Sequence, residues 1–375
     1  MKIDYDFKYY NFLLLILIIA MNFCGVLIVR SAANMDEAIV TRQIIGSLAG
    51  VCACIIVSFI DYHRILKYRN LILLVCIAAL AAVKLLGVVR GGAGRWIVLP
   101  VIGQIQPAEF VKIGLILFFA GFFEKYQETI SSPRTLLRAL ILFSVPAVLI
   151  LIEPNLSTTI IITVIFAALI FAAGISLRLV FGALALGAAS FGLLLYTFRT
   201  ELYEKIPFLE DYQKNRILGF LYPEKYGDIS VQQTRSILAI GSGGLMGKGL
   251  YNTDISSVKA GNFLIEEDTD FIFAIIGEEL GFRGSILIFI GFLLILFLTL
   301  GIAARAKDLG GKLIAVGVAV WIGFQTFTNV AVATGLFPNT GVTLPFISRG
   351  VSSLLSIYIA MGLVLNVGLQ RRTYK

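Results

Sequence analysis

The sequence predicts an all-α polytopic membrane protein, and three observations carry that expectation. Hydrophobic residues make up 58% of the chain and charged residues 14%, with a mean hydropathy of +0.91, far above a soluble globule. Apolar runs long enough to cross a bilayer recur along the whole chain. Those runs are continuous rather than alternating, which favours a helical bundle over a β-barrel.

A spanning helix needs roughly 20 mainly apolar residues. Ten runs qualify, near 11–29, 43–60, 70–88, 108–124, 136–153, 157–174, 177–198, 284–303, 312–331 and 352–370. The first is too long for a cleaved signal peptide and no small-residue cleavage site follows it. The second and third are joined by a short loop that carries Asp61, Arg64 and the single histidine, His63. Gln106-Pro107-Ala108-Glu109-Phe110-Val111-Lys112 opens the fourth, with Pro107 suited to a first helical turn. Between the seventh and eighth runs lies the one long hydrophilic stretch, 199–283. Before the tenth comes Phe337-Pro338-Asn339-Thr340-Gly341-Val342-Thr343-Leu344-Pro345-Phe346-Ile347-Ser348, where two prolines in an apolar setting imply non-helical backbone covered by protein. Ten spans leave no room for a separate soluble domain, so 1–375 is expected to be one integral-membrane unit with 199–283 as a loop within it.

Orientation follows from cations in short loops. With both termini inside, the inner segments carry 15 Lys and Arg, and the short outer loops carry Arg30, Arg42, Arg90, Arg95 and Arg349. The expectation is a multi-pass protein of the cytoplasmic membrane with both ends cytoplasmic and 199–283 outside. The net charge of +8 then reflects topology, and no nucleic-acid partner is needed to explain it. Cys24, Cys52, Cys54 and Cys76 all fall inside predicted spans, where they pack as small hydrophobes. With one histidine in an inner loop, a Cys/His zinc site and an outward Ser-His-Asp triad are both excluded.

The loop 199–283 holds 13 of the 23 acids and nine of the 31 bases. It opens with an amphipathic stretch, 203–208. Gln232 to Ile240 has a helical period and ends in Gly241-Ser242-Gly243-Gly244-Leu245-Met246-Gly247-Lys248-Gly249. That run lacks the Ser or Thr that Walker A needs after its Gly-Lys. It reads either as a helix C-terminus with turns or as backbone amides approaching a phosphate or sugar. The loop closes on Glu266-Glu267-Asp268-Thr269-Asp270-Phe271, an acidic cluster set against an apolar run. Carboxylates at a membrane boundary are costly unless paired or used. Asp268, Thr269 or Asp270 could serve as a helix N-cap before Phe271. Alternatively Asp270 is a general base whose carboxyl is tuned by partial burial. Glu278 and Glu279 lie roughly 12 Å further along a helix, too far to pair with Asp270, and read as structural or gating groups. Glu109 and Lys112, three residues apart, share a helix face as a structural ion pair or a cavity-lining pair.

In order along the chain, Gly94-Arg95-Trp96-Ile97, Gln106-Pro107-Ala108-Glu109 with Lys112, Glu153-Pro154-Asn155-Leu156-Ser157-Thr158, Tyr212-Gln213-Lys214-Asn215-Arg216-Ile217, Ala239-Ile240-Gly241-Ser242-Gly243-Gly244, Thr269-Asp270-Phe271-Ile272-Phe273, Glu278-Glu279-Leu280-Gly281, Asn329 and Leu344-Pro345-Phe346-Ile347-Ser348 resemble the SEDS family (shape, elongation, division and sporulation; RodA/FtsW/SpoVE-like). The chain departs from the family pattern at Asn155 and Ser157, at Arg349 and Val351, where Tyr and Gly are usual, and at Ile265. The resemblance implies a ten-helix peptidoglycan glycosyltransferase that polymerises lipid II outside the membrane, usually with a class B penicillin-binding protein. It places Asp270 on the family's essential aspartate, and Glu109 and Lys112 on its fourth-helix charged pair. In that chemistry Asp270 takes the acceptor hydroxyl's proton. Lys214, Arg216, Arg235 and Lys248 are then candidates for the leaving pyrophosphate, and Lys112 could hold Asp270 ionised. No cofactor is identified from the sequence, and a divalent cation could assist. Two rival classes stand beside this reading: a lipid-linked precursor flippase or permease, and a catalytically inactive scaffold of the wall-synthesis complex.

Overall fold

In a computed structural model, the described residues are 7–90, 93–99, 103–200, 211–252, 257 and 267–370. The chain forms α1 (Phe12–Ala32), α2 (Glu37–Ser58), α3 (Tyr62–Lys67), α4 (Arg69–Leu86), a small sheet of β1 (Val88–Arg90), β2 (Ala93–Leu99) and β3 (Gly103–Ile105), then α5 (Pro107–Lys125), α6 (Pro133–Ile152), α7 (Leu156–Ala172), α8 (Leu177–Arg199), α9 (Asp211–Leu221), α10 (Gly227–Gly243), α11 (Ile272–Ala304), α12 (Leu309–Ala333) and α13 (Val351–Leu369). Each of the ten apolar runs lies on a helix: α1, α2, α4 to α8, and α11 to α13. By length and apolarity, α1, α2, α4, α6, α11, α12 and α13 are able to cross a membrane, and α7 is a shorter apolar helix. This is a polytopic, predominantly α-helical membrane protein.

The three-stranded antiparallel sheet is the departure from an all-helical chain. Val88 pairs with Trp96 and Arg90 with Ala93, while Ile97 pairs with Ile105 and Leu99 with Gly103. It pairs backbone groups in the segment counted above among the short outer loops.

Burial separates inner from outer helices. α5, α12 and α13 are buried along almost their whole length. In contrast α1, α2, α4 and α6 each expose an apolar face, with Leu13, Ile45, Leu74 and Ile141 among the exposed side chains. Such faces suit contact with lipid, whose tails solvate them without a hydrophobic cost. α12 lies at the centre, packed on α5, α7, α11 and α13, and α13 packs on α2. Aromatic stacking closes α5 on α6 and α7: Phe143 and Phe166 lie parallel with centroids 4.3 Å apart, and Phe119 meets Phe166 at 4.7 Å. Cys54 and Cys76 are buried in this packing, whereas Cys24 and Cys52 sit on exposed faces.

The hydrophilic stretch is more structured than its composition implies. α9 and α10 occupy it, and α11 begins at Ile272, well before the run expected at 284–303. Segment 203–208 lies outside the described residues. Glu278 and Glu279, which made 272–283 look hydrophilic, are 0% and 2% exposed. Glu278 pairs with Lys248 at 2.8 Å and Glu279 accepts from the Ser31 hydroxyl at 2.5 Å, so the helix continues through them. α11 breaks at Gly281 (φ 62°). The carbonyls freed by the break are taken by the glycine run, Lys248 N donating to Glu278 O (2.9 Å) and Gly249 N to Glu279 O (3.0 Å), while Phe282 N donates to Gly244 O (2.9 Å). A Cβ at Gly281 would stand 2.3 Å from Gly247 N, so both the positive φ and the close approach demand glycine. The run therefore ends a helix and braces a kink, and the Lys248 and Gly249 amides are spent on protein carbonyls.

At the opposite end of the spans, His63 bridges two carboxylates, with Nδ1 2.8 Å from Asp61 and Nε2 2.7 Å from Asp308. Asp308 also caps α12 through Gly311 N and accepts from the Tyr62 hydroxyl. Asp61 accepts from Gln370 just beyond α13. Burial alone would depress the imidazole, but its bonds to Asp61 and Asp308 outweigh this and raise its pKa. Burial would likewise raise Asp61, yet bonds from Gln370 and His63 bring its pKa down. A raised histidine stabilises the fold fully below the ordinary value of about 6.5 and ceases to do so as pH climbs through the raised value. A lowered Asp61 stabilises it above the ordinary carboxylate range and is lost on acidification. Thermal denaturation in detergent should therefore show wild type losing part of its margin over His63→Gln as pH rises from about 6 to 9. A margin that is flat across this range would show that the imidazole does not titrate within it and would count against the expectation.

Candidate functional site

The helix cap expected from Asp268, Thr269 or Asp270 does not form. α11 starts at Ile272 with Phe271 in the cap position and no side-chain bond to its amides. Residues 267–271 make a turn whose carbonyls are instead held from other elements. Arg349 N donates to Asp268 O at 2.8 Å, and the Arg349 guanidinium is 2.8 Å from Asp268 Oδ2. Ser348 Oγ donates to Thr269 O at 2.6 Å. Asn329 Nδ2, on α12, donates to Asp270 O at 2.8 Å and to Val342 O at 2.6 Å. Three successive residues are thus fastened to α12 and to the non-helical segment 337–350. That segment was expected to be irregular and covered, and Leu344, Phe346, Ile347 and Ser348 are buried.

Asp270 itself is half-buried. A Cβ at Gly341 (φ 69°) would stand 3.1 Å from Asp270 Oδ2 and 3.6 Å from Arg216 Nη1. The carboxylate and the guanidinium therefore converge on the one residue that has no side chain to separate them. Arg216, on α9, is aimed there by donating to Asn339 O at 3.1 Å. On the other side of this loop, the Ser157 hydroxyl in the first turn of α7 donates to Thr340 O. Asn155 caps α7 by accepting from Thr158 N at 3.3 Å.

A second polar centre lies in the bundle. Lys112 is 1% exposed and donates to Glu109 at 2.9 Å and to Gln325 Oε1 at 3.0 Å. Its ammonium stands 4.6 Å from the Trp321 ring centroid, within cation–π range. Trp321 Nε1 donates to the same Gln325 oxygen at 2.7 Å, and Gln325 Nε2 donates to Thr343 O at 2.9 Å. Thr343 follows Gly341 by two residues, so one loop receives both the Asp270–Arg216 pair and the Lys112 network. Gln325, Trp321, Ser348 and Arg349 were not singled out as site residues. Their signal was available in part: Trp321, Gln325 and Asn329 repeat every four residues, a single face of α12.

The other cations are placed differently. Lys248 is engaged by Glu278 at the α11 kink. Lys214 on α9 and Arg235 on α10 are half-buried. Arg95, on β2, donates to Glu153 O at 3.2 Å and to Pro154 O, and Glu153 is a buried carboxylate whose two oxygens have no hydrogen-bond partner. Among the described residues no group of three or more His, Cys, Asp or Glu is arranged to hold a metal ion. One turn past Asp270, a cavity of about 400 Å³ opens between α10 and α11, lined by Ile240, Phe273, Phe282, Ile286 and Phe289.

Replacing Lys112 by Ala would leave Glu109 as a buried, uncompensated carboxylate and strand the Gln325 oxygen. Removing one member of such a pair costs about 3–5 kcal/mol. The expected outcome is a clear fall in melting temperature in detergent, reduced in the double variant Lys112→Met with Glu109→Gln, which removes both charges. An unchanged melting temperature for Lys112→Ala would mean that water solvates the site.

Known proteins share both the sequence pattern and the fold of this chain. Residues 8–373 match the family model described as Cell cycle protein, FTSW_RODA_SPOVE. The probable peptidoglycan glycosyltransferase FtsW of Geobacter metallireducens is 32% identical over 96% of this chain and 95% of its own length. Peptidoglycan glycosyltransferase MrdB of Escherichia coli K12 is 30% identical over 96% and 93%. Among solved structures, a chain from a peptidoglycan synthase complex described for coordinated polymerization and crosslinking superposes with a TM-score of 0.78 at 26% identity, covering 96% of this chain and 97% of that one. Thermus thermophilus rod shape determining protein RodA superposes at 0.68 with 25% identity, covering 100% and 99%. The chain belongs to the FtsW/RodA/SpoVE family, the SEDS group whose motifs its sequence carries.

Proposed function

We propose that this protein is a peptidoglycan glycosyltransferase that polymerises lipid II on the outer face of the bacterial cytoplasmic membrane. The observation that carries the reading is the convergence of the Asp270 carboxylate and the Arg216 guanidinium on Gly341. Glycosyl transfer needs both groups at one place. An acceptor sugar hydroxyl gives its proton to Asp270 as its oxygen bonds to the donor's anomeric carbon. The bond from that carbon to phosphate breaks, and the electron pair departs with undecaprenyl pyrophosphate. Arg216 offsets the charge developing there, in the manner of a preorganised electrostatic site. Lys214 and Arg235, on α9 and α10, are further partners for the pyrophosphate. Lys248, held by Glu278, serves the α11 kink first. The apolar cavity one turn past Asp270 suits the polyprenyl tail.

In this reading the ten helical runs are ten spans, both termini are cytoplasmic, and 199–283 is the extracytoplasmic part of a single domain spanning 1–375. Support comes from the excess of cations in the assigned inner segments. The buried Glu109–Lys112 pair is a fixed support for the catalytic loop. Similarity to a chain of a synthase complex supports assembly with a cross-linking enzyme of the class B penicillin-binding type. The specific observation that favours a flippase instead is the same charged pair inside the bundle, so the test must separate the two activities.

Purified protein in liposomes with lipid II confined to the outer leaflet should make glycan chains without moving labelled lipid between leaflets. Asp270→Asn should lower the rate by about 10²- to 10⁴-fold, the usual worth of a positioned general base, while melting temperature and membrane insertion stay close to wild type. Leaflet transfer that survives Asp270→Asn, with no glycan from wild type, would establish a transporter.

A further inference from the structure

The turn that carries Asp270 is an irregular piece of backbone between 267 and 271, and it has no helix cap to define its conformation. Three anchors from other elements hold it among the described residues. Two of them, from Ser348 to Thr269 O and from Asn329 to Asp270 O, reach only the backbone. The third is double: Arg349 uses its amide on Asp268 O and its guanidinium on Asp268 Oδ2, each at 2.8 Å. The Asp268 side chain is 10% exposed and that of Arg349 34%. A carboxylate this buried holds a definite position only while its charge is met, and a guanidinium meets it with directional, charge-assisted bonds.

Arg349 also sits at a particular point of the loop. The segment that receives Arg216 at Asn339 and meets the Asp270 carboxylate at Gly341 runs on to Arg349, the last residue but one before α13. One stretch of chain therefore holds the candidate phosphate partner at its start and the turn bearing the base at its end. The spacing of the two groups is set by that stretch and by its fastening to Asp268.

We infer that Arg349 is a positioning residue for glycosyl transfer, acting through Asp268 to hold the Asp270 turn against the 337–350 loop, and that it does not bind the substrate. The inference rests on the function proposed above. Small displacements of a reacting group are costly, with about 1 Å being worth as much as 10²-fold in rate. Losing the anchor should therefore lower kcat and leave KM nearly unchanged.

The test uses the full-length purified protein with lipid II as the probe. Arg349→Gln and Asp268→Asn should each lower kcat about 10- to 100-fold, with KM within about twofold of wild type. The double variant should be no slower than the slower single one, because both changes remove one interaction. Arg349→Lys should recover most of the loss. Hydrogen exchange at the amides of 267–273 should quicken in both single variants, and this readout does not depend on catalysis. A raised KM with unchanged kcat would assign Arg349 to substrate binding and overturn the inference. Multiplying losses in the double variant, or unaltered kinetics and exchange, would overturn it equally. If a single variant fails to fold, Arg349→Lys and the double variant, which removes both charges of the Asp268–Arg349 pair, carry the same comparison. Wild type that makes no glycan would count against the proposed function, while the exchange data would still decide whether Arg349 holds the turn.

Discussion

Within a hydrocarbon environment every backbone amide, carbonyl and charge must be satisfied by the protein itself, and the organisation of this bundle follows from that constraint. Non-helical chain at membrane depth survives only where other elements supply its partners. The segment 337–350 is non-helical and largely buried, and α12, α1 and α2 supply its partners. Gln325 donates to Thr343 O and Asn329 to Val342 O, while Asn22 on α1 donates to Phe346 O at 2.9 Å and Gln43 on α2 to Ser348 O. Four amide side chains from three helices thus hold an irregular loop where a helix would have satisfied itself. Gly25 on α1 shows how tightly the loop is gripped, since a Cβ there would fall 2.6 Å from Ile347 Cα.

Supporting an irregular loop in this way has a functional return, because a helix could not present the same surface. Gly341, at positive φ, brings the loop backbone close to both Asp270 and Arg216, where a side chain would crowd the carboxylate. The turn at 267–271 behaves similarly. Its carbonyls, which in a capped helix start would need no outside donor, are met by Arg349, Ser348 and Asn329. The Asp270 carboxylate lies beside Gly341. The turn is thus anchored through its backbone carbonyls at Asp268, Thr269 and Asp270.

Much of this was legible in the sequence, and what was not has a common cause. The ten helical runs could be read because continuous apolarity is a local property. So could the Glu109–Lys112 pair, because three residues along a helix bring two side chains to one face and no distant information is needed. Asp270 drew attention as a charge beside an apolar run, but its cap reading failed because the decisive donors lie 59 and 79 residues away in sequence. The start of α11 was placed too late for the same reason. Glu278 and Glu279 look solvated until Lys248 and Ser31, 30 and 248 residues distant, are known to meet them. The sheet at 88–105 escaped notice because β1 and β3 are three residues each, too short to establish an alternation. Arg349 read as a mere departure at a motif position, since nothing local relates it to Asp268.

The buried ammonium of Lys112 also bears on the choice between enzyme and transporter. A charge that accompanies a cargo across a bilayer must exchange partners as the path opens to one side and then the other. Lys112 is bound instead to two acceptors and an aromatic face. One acceptor, Gln325, is itself fixed by Trp321 and by Thr343 in the loop beside Gly341. Moving the ammonium would strand the Gln325 oxygen and the Glu109 carboxylate in the interior and loosen the loop that positions Asp270. The charge therefore acts as a fixed strut. It ties α5 to α12 and, through Gln325, to the irregular segment at Gly341, on which the Asp270 carboxylate and the Arg216 guanidinium converge.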